Sequence, residues 1–158
     1  MNMQGAPSSL EQGPPTENEI PKLPADTFKT LPNLEWLDLS ENKLSDAGLP
    51  LHVFRNLTKS KRLNLDGNHL TAIPPLPQSL QELKMNDNNI RGLHQYSFQG
   101  LYNLLTLKPE GNGFHDRNVC PLTFKPLQSL MYLRLDCHSF RAIPSSLQAA
   151  AGPEPTQL

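Results

Sequence analysis

Apolar residues recur along this chain in a short, fixed frame. Leu34, Leu37, Leu39 and Leu44 set it out, with Asn42 two positions before the last leucine. The frame returns at Ser60, Leu63, Leu65, Asn68 and Leu70, then at Leu80, Leu83, Met85, Asn88 and Ile90. Two further copies follow, at Leu104, Leu107, Pro109, Asn112 and Phe114 and at Leu130, Leu133, Leu135, His138 and Phe140. Copies starting at 34, 60, 80, 104 and 130 are 26, 20, 24 and 26 residues apart. Between them runs a second pattern, in which Phe28, Phe54, Phe98 and Phe124 each precede Leu31, Leu57, Leu101 and Leu127 by three residues. Each copy predicts a strand of about three residues, parallel to its neighbour, with the frame leucines inward and the Asn satisfying backbone groups at the following turn.

The full frame L-x-x-L-x-L-x-x-N-x-L is the leucine-rich repeat template, matched at every specified position from Leu34 to Leu44. The predicted fold is therefore an α/β leucine-rich repeat solenoid. It is a curved stack of about five coils, with short parallel strands on the concave face, irregular or 3-10 returns on the convex side, and uncapped ends. No single coil can bury its apolar face alone, so stability comes from neighbours and local defects matter.

Three domains of organisation follow. Residues 1-17, rich in Pro, Gln, Glu and Ser, are expected to be disordered, residues 18-148 to form the repeat domain, and residues 149-158 to be a disordered tail. Upstream, Asn18 and Ile20 fit the ninth and eleventh frame positions, but Gly13 and Pro15 occupy the inward strand sites, so a first coil reads as half lost. Downstream, Ala142, Ile143 and Pro144 echo Ala72, Ile73 and Pro74 without a following strand. Inside the stack, Pro109 takes an inward position and removes one N–H from the ladder, making coil four a predicted weak point. Ser60 replaces an inward leucine, and His138 stands in the Asn column.

Composition narrows the function. Of 158 residues 37% are hydrophobic, lean for a globule with one compact core and suited to a solenoid. Fourteen Lys and Arg against fifteen Asp and Glu leave a net charge of −1, too little basic field to gather nucleic acid. No apolar run approaches the ~20 residues of a membrane helix, so no membrane insertion is expected, and the N-terminus carries no secretion signal. Cys120 and Cys137 are too few for a disulfide framework and read as free thiols. The five histidines share no metal-ligand spacing, and Asp87, Asn89 and Arg91 fail as a calcium loop because Arg91 stands where an oxygen ligand is required. No phosphate loop, dinucleotide fingerprint or nucleophile elbow occurs, so no cofactor, metal or catalytic residue is expected.

What remains is a surface. The positions between the frame leucines face the concave side, where Trp36, Asp38, Arg62, Asn64, Lys84, Lys108, Tyr132 and Arg134 form the candidate contact residues. The column Asp38, Asn64, Lys84, Lys108, Arg134 runs beside the column Asp66, Asn86, Glu110, Asp136, so opposite charges lie side by side. Trp36, Tyr132 and Arg134 are the residue types that anchor interfaces. An ordinary solvated sheet face is the competing reading. Asn56, Leu57 and Thr58 form an N-glycosylation sequon on the convex return, and Asn118, Val119 and Cys120 a weaker one.

The alternation of long and short repeats, with Ile73, Pro74, Pro75, Leu76, Pro77, Gln78, Ser79 and Leu80 in the short coil, resembles the small leucine-rich proteoglycans of extracellular matrix, podocan-like members among them. The resemblance covers about residues 18 to 148. It implies secretion to the matrix and binding of collagen, glycosaminoglycan or a receptor through the curved face. Family members carry cysteine caps at both ends of the array, and neither is present here, so the resemblance implies a shortened chain. The expected function is a non-catalytic, protein-binding module of matrix type. The alternatives are a truncated product without independent function and a cytosolic adaptor made of the same repeats.

Overall fold

The computed structural model of the protein describes residues 2–3, 19–115 and 117–135. Six short strands form one sheet in chain order: β1 (Asn2–Met3), β2 (Trp36–Asp38), β3 (Arg62–Asn64), β4 (Glu82–Lys84), β5 (Thr106–Lys108) and β6 (Tyr132–Leu133). From β2 to β6 each pair is parallel and in repeat register, so Leu37, Leu63, Leu83, Leu107 and Leu133 stand side by side. Alternation along a strand sends these central leucines inward and their flanking residues outward. All five leucines are buried, and none of their flanking residues is. The one 3-10 helix among the described residues, Asp46–Gly48, lies on a return.

One pairing departs from the sequence reading. Strand β1 runs antiparallel to β2, with Asn2 opposite Asp38 and Met3 opposite Leu37, inside the segment 1-17 expected to lack order. The remainder of that segment, Asp136, Cys137, His138, Phe140, the echo at 142–144 and the tail 149–158 lie outside the described residues.

Asparagine side chains join the coils at the turns after β2, β3, β4 and β5. The Asn68 amide donates to the carbonyls of Leu65 and Asp66 in its own coil and of Leu39 in the coil before, while its oxygen accepts the N–H of Leu44. Asn88 repeats this, reaching Met85 and Asn86 in its own coil and Leu65 and Leu70 in the preceding one. Asn112 does the same with Pro109, Glu110, Met85 and Ile90. Asn42 accepts from Ile20 N–H, so Ile20 already belongs to the ordered stack. Just before each asparagine the chain takes a left-handed turn, at Glu41, Gly67, Asp87 and Gly111.

The two predicted defects have distinct outcomes. Leu39, Leu65 and Met85 donate their N–H groups to the carbonyls of Asn64, Lys84 and Lys108, and the corresponding link from Pro109 to Arg134 cannot form. Beyond it β6 has two residues in place of three, and the bond from Arg134 N–H to Leu107 stretches to 3.4 Å. Pro109 is nonetheless buried and its carbonyl still accepts from Asn112. Ser60 is buried in the leucine column, and its hydroxyl has no hydrogen-bond partner among the described residues.

On the returns, Phe28 stacks on Phe54 and Phe98 on Phe124, each at 5.9 Å between ring centroids, and all four rings are buried. Each lies six residues before the opening position of its coil. In the short coil the same count from Leu80 falls on Pro74, so the column of phenyl rings is broken between Phe54 and Phe98.

Two substitutions are expected to move stability in opposite directions. Asn68→Ala strands the buried Leu44 N–H, at about 1–3 kcal/mol, and removes the amide that ties Leu39 to Leu65, so it should lower the urea midpoint. Ser60→Ala removes a hydroxyl without a partner among the described residues and should raise the unfolding free energy by an amount on the order of 1 kcal/mol, and the urea midpoint with it. A destabilised Ser60→Ala protein would show that the hydroxyl is satisfied in solution.

Candidate functional site

All eight predicted contact residues lie on or directly beside β2 to β6 and point to the outer face of the sheet. Trp36, Arg62 and Arg134 are exposed, and Asp38, Asn64, Lys84, Lys108 and Tyr132 are half-buried. The parallel register sets Trp36 beside Arg62 and Lys84 beside Lys108. The face is therefore one surface assembled from five coils.

Its charges are paired across coils. Arg62 meets Glu82 at 3.8 Å, Lys84 meets Asp66 at 4.0 Å, Arg134 meets Glu110 at 3.2 Å, and Lys61 meets Glu35 at 3.5 Å. Such solvent-facing pairs contribute roughly 0–1 kcal/mol each to stability. Their larger effect is on the field, because Lys61, Arg62, Lys84 and Arg134 each stand next to a carboxylate. Lys108, which forms no such pair among the described residues, lies with its ammonium 5.8 Å from the Tyr132 ring centroid, and Arg62 lies at the same distance over Trp36. Each end of the face thus carries an aromatic ring with a cation against it, in cation–π geometry. Four strand spacings put the two rings about 19 Å apart. A shallow hollow of about 180 Å³ opens among Glu35, Trp36, Lys61 and Arg62.

The half-buried Asp66 sits behind this surface. Its carboxylate accepts the Asn86 N–H at 2.7 Å, and the Asn86 side chain in turn accepts the Glu110 N–H at 2.8 Å, forming a second ladder beside the first. Burial raises the Asp66 pKa above the usual 3.8, and the Asn86 bond and the Lys84 charge only partly offset that rise.

Sequence reasoning did not foresee the pairing of the two aromatic rings with cations: Arg62 reaches Trp36 within one column, whereas Lys108 reaches Tyr132 from the neighbouring one. It also did not single out Leu105 and Met131, which are exposed beside the strands on neighbouring coils, in a column that otherwise holds Glu35, Lys61 and Gln81. The two sequons separate clearly. The Asn56 side chain has no hydrogen-bond partner among the described residues, whereas the Asn118 amide is bound to the carbonyls of Arg91 and Gly113 and accepts from His115. His52, His69, His94 and His115 are exposed, and Cys120 is a half-buried free thiol.

The raised Asp66 pKa carries a sign. The folded protein holds this proton to higher pH than the unfolded chain, so the associated stability is present below pH 3.8 and is lost as pH rises through the raised value. Asp66→Asn keeps an acceptor for Asn86 N–H and removes the titration. Thermal melts across pH 3 to 7 should show the variant gaining on the parent as pH rises, with the advantage fading toward pH 3.8. A gap independent of pH would show that Asp66 ionises as an ordinary surface carboxylate.

Comparison with known proteins places this geometry in a family. Leucine rich repeat models match residues 16–70 and 79–101. Human lumican (Homo sapiens) is 34% identical over 131 residues, covering 82% of this chain and 38% of lumican. Mouse podocan (Mus musculus) is also 34% identical over 131 residues, covering 82% of this chain and 21% of podocan. A chain in the octameric complex of Latrophilin 3 (Lec, Olf), Unc5D (Ig, Ig2, TSP1) and FLRT2 (LRR) superposes with a TM-score of 0.71 at 30% identity, covering 81% of this chain and 40% of that one. The chain thus spans well under half the length of these relatives. Five coils in one register, the first four joined by asparagine, and matches at this level make the chain a leucine-rich repeat protein resembling the small leucine-rich proteoglycan family of extracellular matrix.

Proposed function

We propose that the chain is a non-catalytic, protein-binding module of extracellular-matrix type, and that the outer face of its sheet is the contact surface. The single observation that carries this reading is the pair of cation-flanked rings, Trp36 with Arg62 and Tyr132 with Lys108, at the two ends of a face on which Arg62, Lys84 and Arg134 each stand beside a carboxylate. Large amphipathic rings supply contact area at low entropic cost, and hot spots concentrate on Trp, Tyr and Arg. Between them, alternating carboxylates and cations suit a partner of mixed charge, such as collagen or a receptor ectodomain. A glycosaminoglycan is a weaker candidate, because Lys84, Arg62 and Arg134 would have to leave their carboxylates to reach sulfates. The FLRT2-containing complex, named for its protein partners, supports protein recognition by a solenoid of this kind.

Binding to immobilised fibrillar collagen is the direct test. Trp36→Ala with Tyr132→Ala should weaken it at least tenfold, roughly 1.4 kcal/mol, and Lys84, Lys108 and Arg134 changed together to Ala should weaken it as well. Arg55→Ala on the return side should leave it unchanged. Equal affinity for the parent chain and both face variants would sink the reading.

Passage through the secretory pathway has its own marker. In mammalian cells the secreted chain should lose apparent mass on treatment with an N-glycosidase, Asn56→Gln should abolish the shift, and Asn118→Gln should leave it intact. A chain without glycan on Asn56 would favour the cytosolic reading.

A further inference from the structure

Of the four asparagines that join the coils, Asn112 is the one followed by glycine, whereas Lys43, His69 and Asn89 follow the others. The difference is chemical, because a backbone nitrogen attacks the preceding side-chain amide fastest when its own residue carries no side chain. Asn42, Asn68 and Asn88 are buried, but Asn112 is half-buried and Gly113 exposed, so water and hydroxide reach this turn. Both reacting groups are held by one residue of the preceding coil. The Asn112 side-chain oxygen accepts Ile90 N–H at 3.0 Å, and Gly113 N–H donates to the Ile90 carbonyl at 3.0 Å. The Asn112 amide also donates to the carbonyls of Met85 and Pro109, each at 2.9 Å. While these bonds stand, the two groups are not free to react. Their hold is the weakest of the column: Asn112 is the last such rung among the described residues, and repeat stacks open from their ends. The strand ladder beyond it lacks the Pro109 bond and carries the stretched 3.4 Å link from Arg134 to Leu107.

We infer that Asn112–Gly113 is a site of spontaneous covalent modification, gated by opening of the coil-four turn, and that its products keep that turn from closing again. Once the turn opens, the Gly113 nitrogen loses its proton and attacks Asn112 Cγ. The N–Cγ bond forms, the Cγ–Nδ2 bond breaks, and the nitrogen leaves as ammonia with a proton returned from solvent. Water then opens the succinimide ring. Addition at Cγ gives aspartate, and addition at the backbone carbonyl gives isoaspartate, whose main chain runs through the former side chain. Water is the only co-reactant, and nothing is oxidised or reduced. Either product replaces two N–H donors by a carboxylate facing the Met85, Pro109 and Glu110 carbonyls that the amide held. Isoaspartate also lengthens the main chain by one carbon shortly before the buried Phe114. The step is therefore one-way, and it records how often coil four has opened.

The site does not rest on the reading of the sheet face. Incubating the full chain in mildly alkaline buffer, with peptide mapping and isoaspartyl-methyltransferase labelling of samples over time, tests it. A one-dalton gain and the label are expected first in the peptide holding Asn112, faster as pH rises, and at least tenfold faster when urea unfolds the chain. A methyl group added at Gly113 would meet nothing nearer than 3.6 Å. Gly113→Ala should therefore keep the parent's melting temperature while slowing the reaction at least tenfold, in the folded and the unfolded chain alike. Asn112→Asp, which builds one product directly, should lower the melting temperature and speed hydrogen exchange at Gly113 N–H severalfold. A first label at another asparagine, equal rates with and without urea, equal rates for the parent and Gly113→Ala, or an Asn112→Asp protein that melts and exchanges like the parent would each overturn the inference.

Discussion

The backbone groups at the turns after β2 to β5 need partners, and the asparagine column is what supplies them. A coil of twenty to twenty-six residues buries polar groups at the point where its chain turns away from the sheet, and water cannot reach them once the next coil is in place. One amide solves this because it offers two donors and an acceptor from a single short side chain. Asn68 and Asn88 show the consequence: each serves its own turn and the turn before it, so the hydrogen bonds that finish one coil also fix the position of its neighbour. Register and stacking are then one property. The column of Leu37, Leu63, Leu83, Leu107 and Leu133 can be continuous only because the turns hold every strand at the same height.

This division of labour frees the outer face of the sheet. Core leucines and turn asparagines carry stability, so the residues between the leucines are constrained mainly by each other. Their arrangement is correspondingly mixed: carboxylates beside cations, aromatics only at the two ends, and no long run of one sign. Asp66 is the point where the two sets of demands meet. It holds a backbone N–H for the stack and faces Lys84 on the surface, and burial makes its charge costly to the folded state.

The sequence made the repeat legible because its requirements are local and periodic. A buried leucine every few residues, a left-handed turn and an asparagine leave marks that survive substitution at any one place, which is why Ser60 and Pro109 could be recognised as defects in a known frame. Both sit where the frame puts them, one as an orphaned hydroxyl and the other as a missing ladder bond. Features that depend on how far a side chain reaches were not legible. That Arg62 lies over Trp36 follows from adjacency in one column, but Lys108 reaches Tyr132 diagonally, and no spacing in the chain announces the difference. The pairing of Asn2–Met3 with β2 was hidden for another reason, since an antiparallel partner owes nothing to the repeat period.

The short coil shows how a change in repeat length alters a face that the strand pattern does not describe. Between openings at 60 and 80 only twenty residues are available, against twenty-four or twenty-six elsewhere, and the strand and its turn keep their full frame. The whole of the shortening therefore falls on the return. A prolyl-rich path from Ile73 to Pro77 crosses that side with fewer residues, its fixed φ angles holding an extended course that needs no regular hydrogen bonds. Such a path cannot also deliver a phenyl ring to the column, so the stacked pairs Phe28–Phe54 and Phe98–Phe124 end on either side of it. Parallel pairing on the sheet side continues through the short coil without interruption, because β3, β4 and β5 see only the conserved half of the frame. The two sides of the solenoid are thus decoupled: repeat length can vary the return surface while the strand ladder, and the contact face built on it, stays in register.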